Sequence, residues 1–260
     1  ETAIIIPSGR SLNEYTLKIL KDWVSQGGTL IAHNSSTRSL ASDKGIGSVK
    51  QLQNTFENSK EYNFDLMREI YALDNDINKD MTNENNVNFE LSYPWEEIEG
   101  FLSKNELKDR DKWQSIFMPS GSFVAGRIDN EHWLTFGTTE TIPVLYSNYP
   151  ILMTRSNSDA PVRIGNMIPN NEIDVPRVVN WSSIPAGFDL NVRMSGLVWP
   201  EASQRIANSA YLTRERVGNG QVILFSGEPN FRGATLGTNR LWLNAIVYGP
   251  GLGTRSKIDL

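Results

Sequence analysis

The apolar positions of this chain fall into two patterns. The first is short and nearly unbroken: AIII at 3–6, TLIA at 29–32 and VILF at 222–225. Runs of that length without polar alternation predict strands covered on both faces. The second pattern repeats every three to four residues. Leu17, Leu20, Trp23 and Val24 share one helix face, and Leu241, Asn244, Ala245 and Tyr248 share another ahead of Gly249. Ser11 and Glu14 are spaced as a capping box for the first helix, and Gly27-Gly28 supplies its left-handed end. Strand, helix and strand within about 30 residues predict a βαβ unit with parallel strands and a right-handed crossover.

Past that unit the pattern changes twice. A short helix is expected to start at Ser35 or Ser36, with the hydroxyl as its N-cap. Residues 48–115 are polar and helix-rich, with DLMREIYAL the best periodic piece, and read as an insertion or cap over the sheet. DNDINKDMTNENN within them reads as exposed loop. Residues 116–195 are rich in short strand-like segments, SFVAGRI, HWLTFG, TIPVLYS and PILMTR, punctuated by Gly, Pro and Asn. AYLTRERV and QVILFS then flank Gly218-Asn219-Gly220, a hairpin signal in which Asn219-Gly220 is expected to supply the positive φ.

Composition narrows the classes. The chain has 260 residues, 39% apolar and 21% charged, as in ordinary globular proteins. A net charge of −5 leaves no basic footprint for nucleic acid. No apolar run approaches the ~18 residues that span a bilayer. Cysteine is absent, which excludes disulfides, thiolate metal sites and thiol nucleophiles, and fits either the cytoplasm or a disulfide-free periplasmic setting. The seven tryptophans read as core. A strand arriving directly after Glu1 suggests a piece of a longer protein, a processed mature chain being the alternative.

Candidate chemistry is sparse. The two histidines, His33 and His132, lie far apart, with Ser36 and Thr135 three positions on. A zinc hydrolase needs three protein ligands, usually opened by a close pair, so no metal or cofactor is expected in this chain. Asp74, Asp76 and Asn78 begin like a calcium loop, but Lys79 stands where Gly is required and Asn85 where Glu is required. Ser35 and Ser36 follow a strand, as a nucleophile would, without the Gly-x-Ser-x-Gly frame or an assigned base. Ligands of open α/β sheets bind past the carboxyl ends of strands. The candidate cleft is therefore Asn34, Ser35 and Ser36 on one side, with Glu228, Asn230 and Arg232 on the other. Glu228 and Arg232 also fit a structural ion pair.

The strand, helix, GGTLIA and following elbow resemble the class I glutamine amidotransferase-like fold. That implies an α/β, flavodoxin-like, mostly parallel sheet with flanking helices. The β-rich middle and C-terminal hairpin would be added to it, all within one domain over 1–260. Active members carry a cysteine at the elbow and a His-x-Glu pair after a late strand. Here the elbow is His33-Asn34-Ser35-Ser36 and the late segment is Phe225-Ser226-Gly227-Glu228-Pro229. The glutamate is kept, the thiol is absent, and Ser226 stands near the place of the histidine.

Residues 197–251 resemble more closely the C-terminal amidotransferase-like domain of large bacterial zinc carboxypeptidases of the carboxypeptidase A type. Trp199, Pro200, Glu201 and Arg205 carry that likeness, with Pro229-Asn230-Phe231-Arg232 and the final Asn-Arg-Leu-x-Leu-Asn helix. LKDWVSQGGTLIA, IDNEHWLTFG and LYSN fit it too, and 48–115 are not covered. The resemblance implies a non-catalytic accessory domain of an exported enzyme, periplasmic or secreted. Zinc would be bound by an upstream peptidase domain, which is the implied partner, with peptide as a candidate ligand. No catalytic or zinc-binding residue of the family maps onto a position here. Two other readings stay open. One is a hydrolase using Ser35, Ser36 or a carboxylate pair that includes Glu228. The other is a carbohydrate- or peptidoglycan-binding module built on the tryptophans.

Overall fold

The structure, a computed structural model, describes residues 2–74 and 100–254. The first elements are β1 (Ala3–Ile6), α1 (Glu14–Ser25), β2 (Thr29–His33), α2 (Thr37–Leu40), β3 (Lys50–Gln51), α3 (Ser59–Asp74) and α4 (Lys104–Gln114). The strand-rich middle holds β4 (Ser122–Ile128), β5 (Thr141–Tyr146), β6 (Leu152–Met153), β7 (Ser158–Ile164), β8 (Asn166–Pro169), β9 (Arg177–Val179), β10 (Ser182–Ile184), β11 (Phe188–Asn191) and β12 (Arg193–Ser195). The chain then forms α5 (Pro200–Ile206), β13 (Ala210–Val217), β14 (Gly220–Phe225) and α6 (Leu236–Tyr248).

The main sheet runs β1-β2-β14-β13-β7-β4-β12, with β5 on β4 and β6 between β13 and β3. Only β1–β2 and β2–β14 pair in parallel. From β14 onward the ladders are antiparallel. The result is a mixed α/β sheet with flanking helices, and parallel pairing is confined to one end of it. The reason is local. A two-residue loop joins β13 to β14, and tight loops make antiparallel neighbours, whereas parallel ones need a long crossover.

Two strand ends are shaped by close approach. Gly218, the first loop residue of the hairpin, has φ +62°, while Asn219 stays out of the left-handed region. Gly220 is needed for room: a Cβ there would lie 2.1 Å from the Val24 carbonyl oxygen and 2.3 Å from that of Gly28. Helix α1 starts later than its sequence signal. Asn13 is the N-cap, its Oδ1 accepting from the Thr16 amide at 2.9 Å, which leaves Glu14 free to pair with Lys44 at 2.5 Å.

Period-2 alternation splits the apolar strands between two cores. Leu30 and Ala32 of β2, with Val222 and Leu224 of β14, join Leu17, Leu20 and Val24 of α1. Ile31, Ile223 and Phe225 face the other way, toward Leu241 and Ala245 of α6. Both cores are built against the same strands, so the strand ends are held rigidly.

The described parts of residues 48–115 are fastened to the sheet rather than merely laid over it. Glu215 of β13 is 6% exposed and accepts from the Ser48 amide at 2.7 and 2.8 Å. Helix α3 buries Tyr62, Leu66 and Met67 at helical spacing, and α4 carries a complete capping box of Ser103 and Glu106. Asp74 closes α3. Asp76, Asn78, Lys79 and Asn85 of the calcium-like stretch, and the rest of DNDINKDMTNENN, lie outside the described residues. HWLTFG, expected as a strand, forms a tight 3-10 turn over Trp133–Thr135. His132 Nδ1 accepts from the Leu134 amide at 3.1 Å, and Thr135 Oγ1 is 2.6 Å from the Asp129 carbonyl. Such side-chain bonds compete with strand pairing. Among the described residues no helix is long and apolar enough to cross a membrane.

Candidate functional site

His33 and Phe225 are register partners on adjacent parallel strands. The chain therefore leaves the sheet at two neighbouring points on the same, carboxyl-terminal edge. At the first, Asn34 takes φ +52° and opens a 3-10 turn into α2. Asn tolerates the left-handed region better than most residues. This bend aims the carboxamide across the gap, where Nδ2 donates to Glu228 Oε1 at 2.9 Å. At the second point the Ser226 amide donates to the Tyr211 carbonyl at 2.8 Å. Gly227 then passes under aromatic rings so closely that a Cβ would lie 2.7 Å from Tyr149 and 3.3 Å from Tyr211. Glu228 is thereby set against Tyr149.

Two half-buried rings, His33 and Tyr149, lie close enough to feel the Glu228 charge, and the half-buried Trp242 packs on His33. His33 stands edge-on to Trp242 of α6, with centroids 5.4 Å apart, and Trp242 meets Phe225 at 5.6 Å. Tyr149 stands edge-on to Tyr146 at 5.4 Å. Burial pushes the His33 imidazole below its ordinary pKa, and the Glu228 charge opposes that shift in part. The ring is neutral at neutral pH. Burial raises the Tyr149 phenol; hydrogen bonds from the Ser147 hydroxyl and the Glu228 backbone oppose the rise, and the Glu228 charge adds to it. Burial raises Tyr211 more strongly. His33 Nδ1, Ser226 Oγ and Thr213 Oγ1 are buried without a hydrogen-bond partner among the described residues.

The six residues singled out from the sequence separate. Asn34 and Glu228 are joined directly. The serine hydroxyls serve the loop after β1: Ser35 Oγ accepts from the Gly9 amide at 2.7 Å, and Ser36 donates to the Pro7 carbonyl. Ser36 stands at the N-cap position of α2 as expected, but its hydroxyl makes no capping bond, and both serines instead hold the elbow in place. Asn230 is exposed, its carbonyl accepting from the Gly233 amide at 3.4 Å. Arg232 has φ +48° and lies over the Phe231 ring at 5.2 Å. It forms no ion pair with Glu228, so the structural pair considered from the sequence is not made.

His132 is far along the chain from this edge and is already engaged. Its Nδ1 takes the Leu134 amide, and its Nε2 lies 3.5 Å from Asp159. No serine hydrogen-bonds to an imidazole among the described residues. The exposed tryptophans Trp113 and Trp199 are linked through Phe117, with interplanar angles of 66° and 63°. Among the described residues no group of three or more His, Asp or Glu is placed to hold a metal ion.

Sequence reasoning missed His33 as a site residue, along with Tyr149 and Trp242. For His33 a signal existed: it ends a buried strand, and alternation places it on the α6 face with Ile31. Tyr149 and Trp242 arrive from distant segments with no local mark of their role.

No family model matches the chain, and no curated protein matches it. Among solved structures the chain is similar to the cytoplasmic protein STM3548 from Salmonella typhimurium. The two share 10% identity over 94% of this chain and 70% of that one, with a TM-score of 0.38. A likeness at that level carries no argument about fold family or function.

Proposed function

We propose that this chain is a non-catalytic binding domain in which the elbow of an amidotransferase-like sheet has become a ligand-holding edge. Its context would be the accessory domain of an exported zinc carboxypeptidase, as the sequence resemblance implies. The observation that carries the reading is the pairing of Asn34 with Glu228. Asn34 occupies the bent, left-handed position that a nucleophile elbow uses to present its reactive atom. An amide at that point has no nucleophilic electron pair to offer, and here it is spent on Glu228. Ser35 and Ser36, the only hydroxyls in the elbow, are occupied by the β1 loop. Without a nucleophile and a base in contact, the edge can hold a ligand but has no means of attacking it.

The test is a set of turnover assays on the isolated chain with glutamine, p-nitrophenyl acetate and C-terminally free peptides. Rates should stay at the buffer level in every case. Turnover that disappears in Glu228→Ala would overturn the reading. The reading frame around the chain checks the parentage: an upstream His-x-x-Glu with a distant third histidine is expected.

A further inference from the structure

We infer that the groove between α6 and the outer strand β5 holds an aliphatic carboxylate, with its acid group on Arg240 and its chain along Leu236, Leu243, Ile142 and Pro143. The groove has a volume of about 810 Å³ and contains none of the strand-end residues described above. Pockets for small molecules usually enclose about 300–1,000 Å³, with apolar walls and a few placed polar groups. No aromatic ring lines this one, and Arg240 is the only charged residue in its wall. Helix and strand are fixed to each other at Gly237, where a Cβ would come within 2.8 Å of Ile142 Cγ2. Leu236 and Leu243 are 86% and 53% exposed. Seven residues separate them, so they share one side of the helix about 10 Å apart. An alkyl chain laid along them would take that apolar surface out of water.

Arg240 lies between the two leucines on the same face. Its side chain runs along the turn at Gly137, whose φ is +76°: a Cβ there would be 3.5 Å from Nε and 3.7 Å from Cζ. The guanidinium forms no ion pair and no hydrogen bond among the described residues. A planar fork with its donors unspent matches a carboxylate, and no Asp or Glu lines the groove to supply one. A cation would be repelled there, and a neutral ligand would leave the fork unspent.

The strand disfavours an extended peptide as the occupant. The Ile128 amide donates to the Glu140 carbonyl at 2.9 Å. With the β4–β5 register, alternation turns the backbone groups of Ile142, Val144 and Tyr146 toward β4 and those of Thr141, Pro143 and Leu145 outward. Pro143 has no N–H to give, and the Thr141 carbonyl already accepts from the Thr139 hydroxyl at 2.9 Å. A strand added to this edge would miss both bonds. A ligand without a peptide backbone loses nothing by that.

Isothermal titration of the full chain with decanoate, decanol, acetate and the peptide N-acetyl-Ala-Leu-Leu tests this. Decanoate is expected to saturate at one per chain and to bind at least about tenfold more tightly than decanol or acetate. Arg240→Gln, at an exposed position, should keep the melting temperature and lose the preference over decanol. Leu243→Asn should weaken decanoate and leave acetate unchanged. Equal binding of decanoate and decanol, or a preference that survives in Arg240→Gln, would overturn the role of Arg240. Acetate binding as tightly as decanoate would overturn the aliphatic wall. Tighter binding of the peptide than of decanoate would overturn the small acid in favour of a chain end. Failure of decanoate to bind at millimolar concentration would overturn the site and leave the strand-end reading untouched.

Discussion

Two polar clusters sit on this sheet, and they are built on opposite principles. Around Arg163 of β7 every guanidinium nitrogen is used. Its Nε and Nη2 fork onto Glu69 at 2.6 and 2.5 Å, Nη2 also reaches Thr154 at 2.8 Å, and Nη1 reaches the Asn208 carbonyl at 3.1 Å. Arg155 beside it pairs with Glu61 and Asp65 at 2.5 and 3.4 Å. A cavity of about 330 Å³ lies over this cluster, lined in part by Asp65, Glu69, His132 and Asp159. At the strand-end edge, by contrast, Glu228 keeps a free oxygen, and His33 and Ser226 keep buried atoms unpaired. The lesson is that a cavity marks space, whereas an unspent hydrogen-bonding group marks demand. Buried polar atoms are normally satisfied, so the exceptions ask for a reason. The Arg163 cluster helps to hold helix α3 to the sheet.

The largest test of this contrast is Glu69→Ala. It strips the partner from an arginine whose side chain is 5% exposed. Because the Glu69 side chain is itself 33% exposed, its removal is expected to cost about 2–3 kcal/mol, less than for a fully buried pair, read as a fall in the urea midpoint. A loss below about 1 kcal/mol, the level of exposed pairs, would show that the cluster is not the fastening described.

Asn34→Ala should come next. It deletes the bond to Glu228 and leaves an alanine at φ +52°, at an expected cost of about 1–2 kcal/mol. Asn34→Gly removes the same bond without the backbone strain, so it should be the milder variant by thermal melting. Equal costs would mean that the bend stores no strain and that the hydrogen bond alone matters.

The smallest effect is a pH dependence. The folded His33 resists protonation because it is buried, while the unfolded imidazole takes a proton near its usual value of about 6.5. The unfolded state thus binds more protons, and this contribution to stability is complete above that value and lost as the pH falls through it. Between pH 8 and pH 5 the melting temperature of the wild type should fall more than that of His33→Gln. Parallel curves would remove the neutral imidazole from the strand-end description.

Much of the frame was legible because it follows from periodicity. The α1 and α6 faces, the β1–α1–β2 unit and the β13–β14 hairpin each declare themselves within about 30 residues or fewer. The edge was half legible, since a polar residue that follows a buried strand is a candidate wherever it occurs. That argument named Asn34 and Glu228, which share a hydrogen bond. It could not tell which hydroxyls the β1 loop would take, and Ser35 and Ser36 turn to that loop. Asn230 and Arg232 are exposed.

Local sequence determined which segments are strands, which are helices and which faces are apolar, because those choices depend on neighbours one to four positions away. Only the tertiary structure decided the antiparallel extension beyond β14. It alone decided that Asn34 and Glu228, 194 positions apart, meet at one edge of the sheet. Pairing partners and shared surroundings are set by contacts between residues far apart in the chain. Those contacts are fixed by packing the whole sheet between two cores, and no short window of sequence contains them.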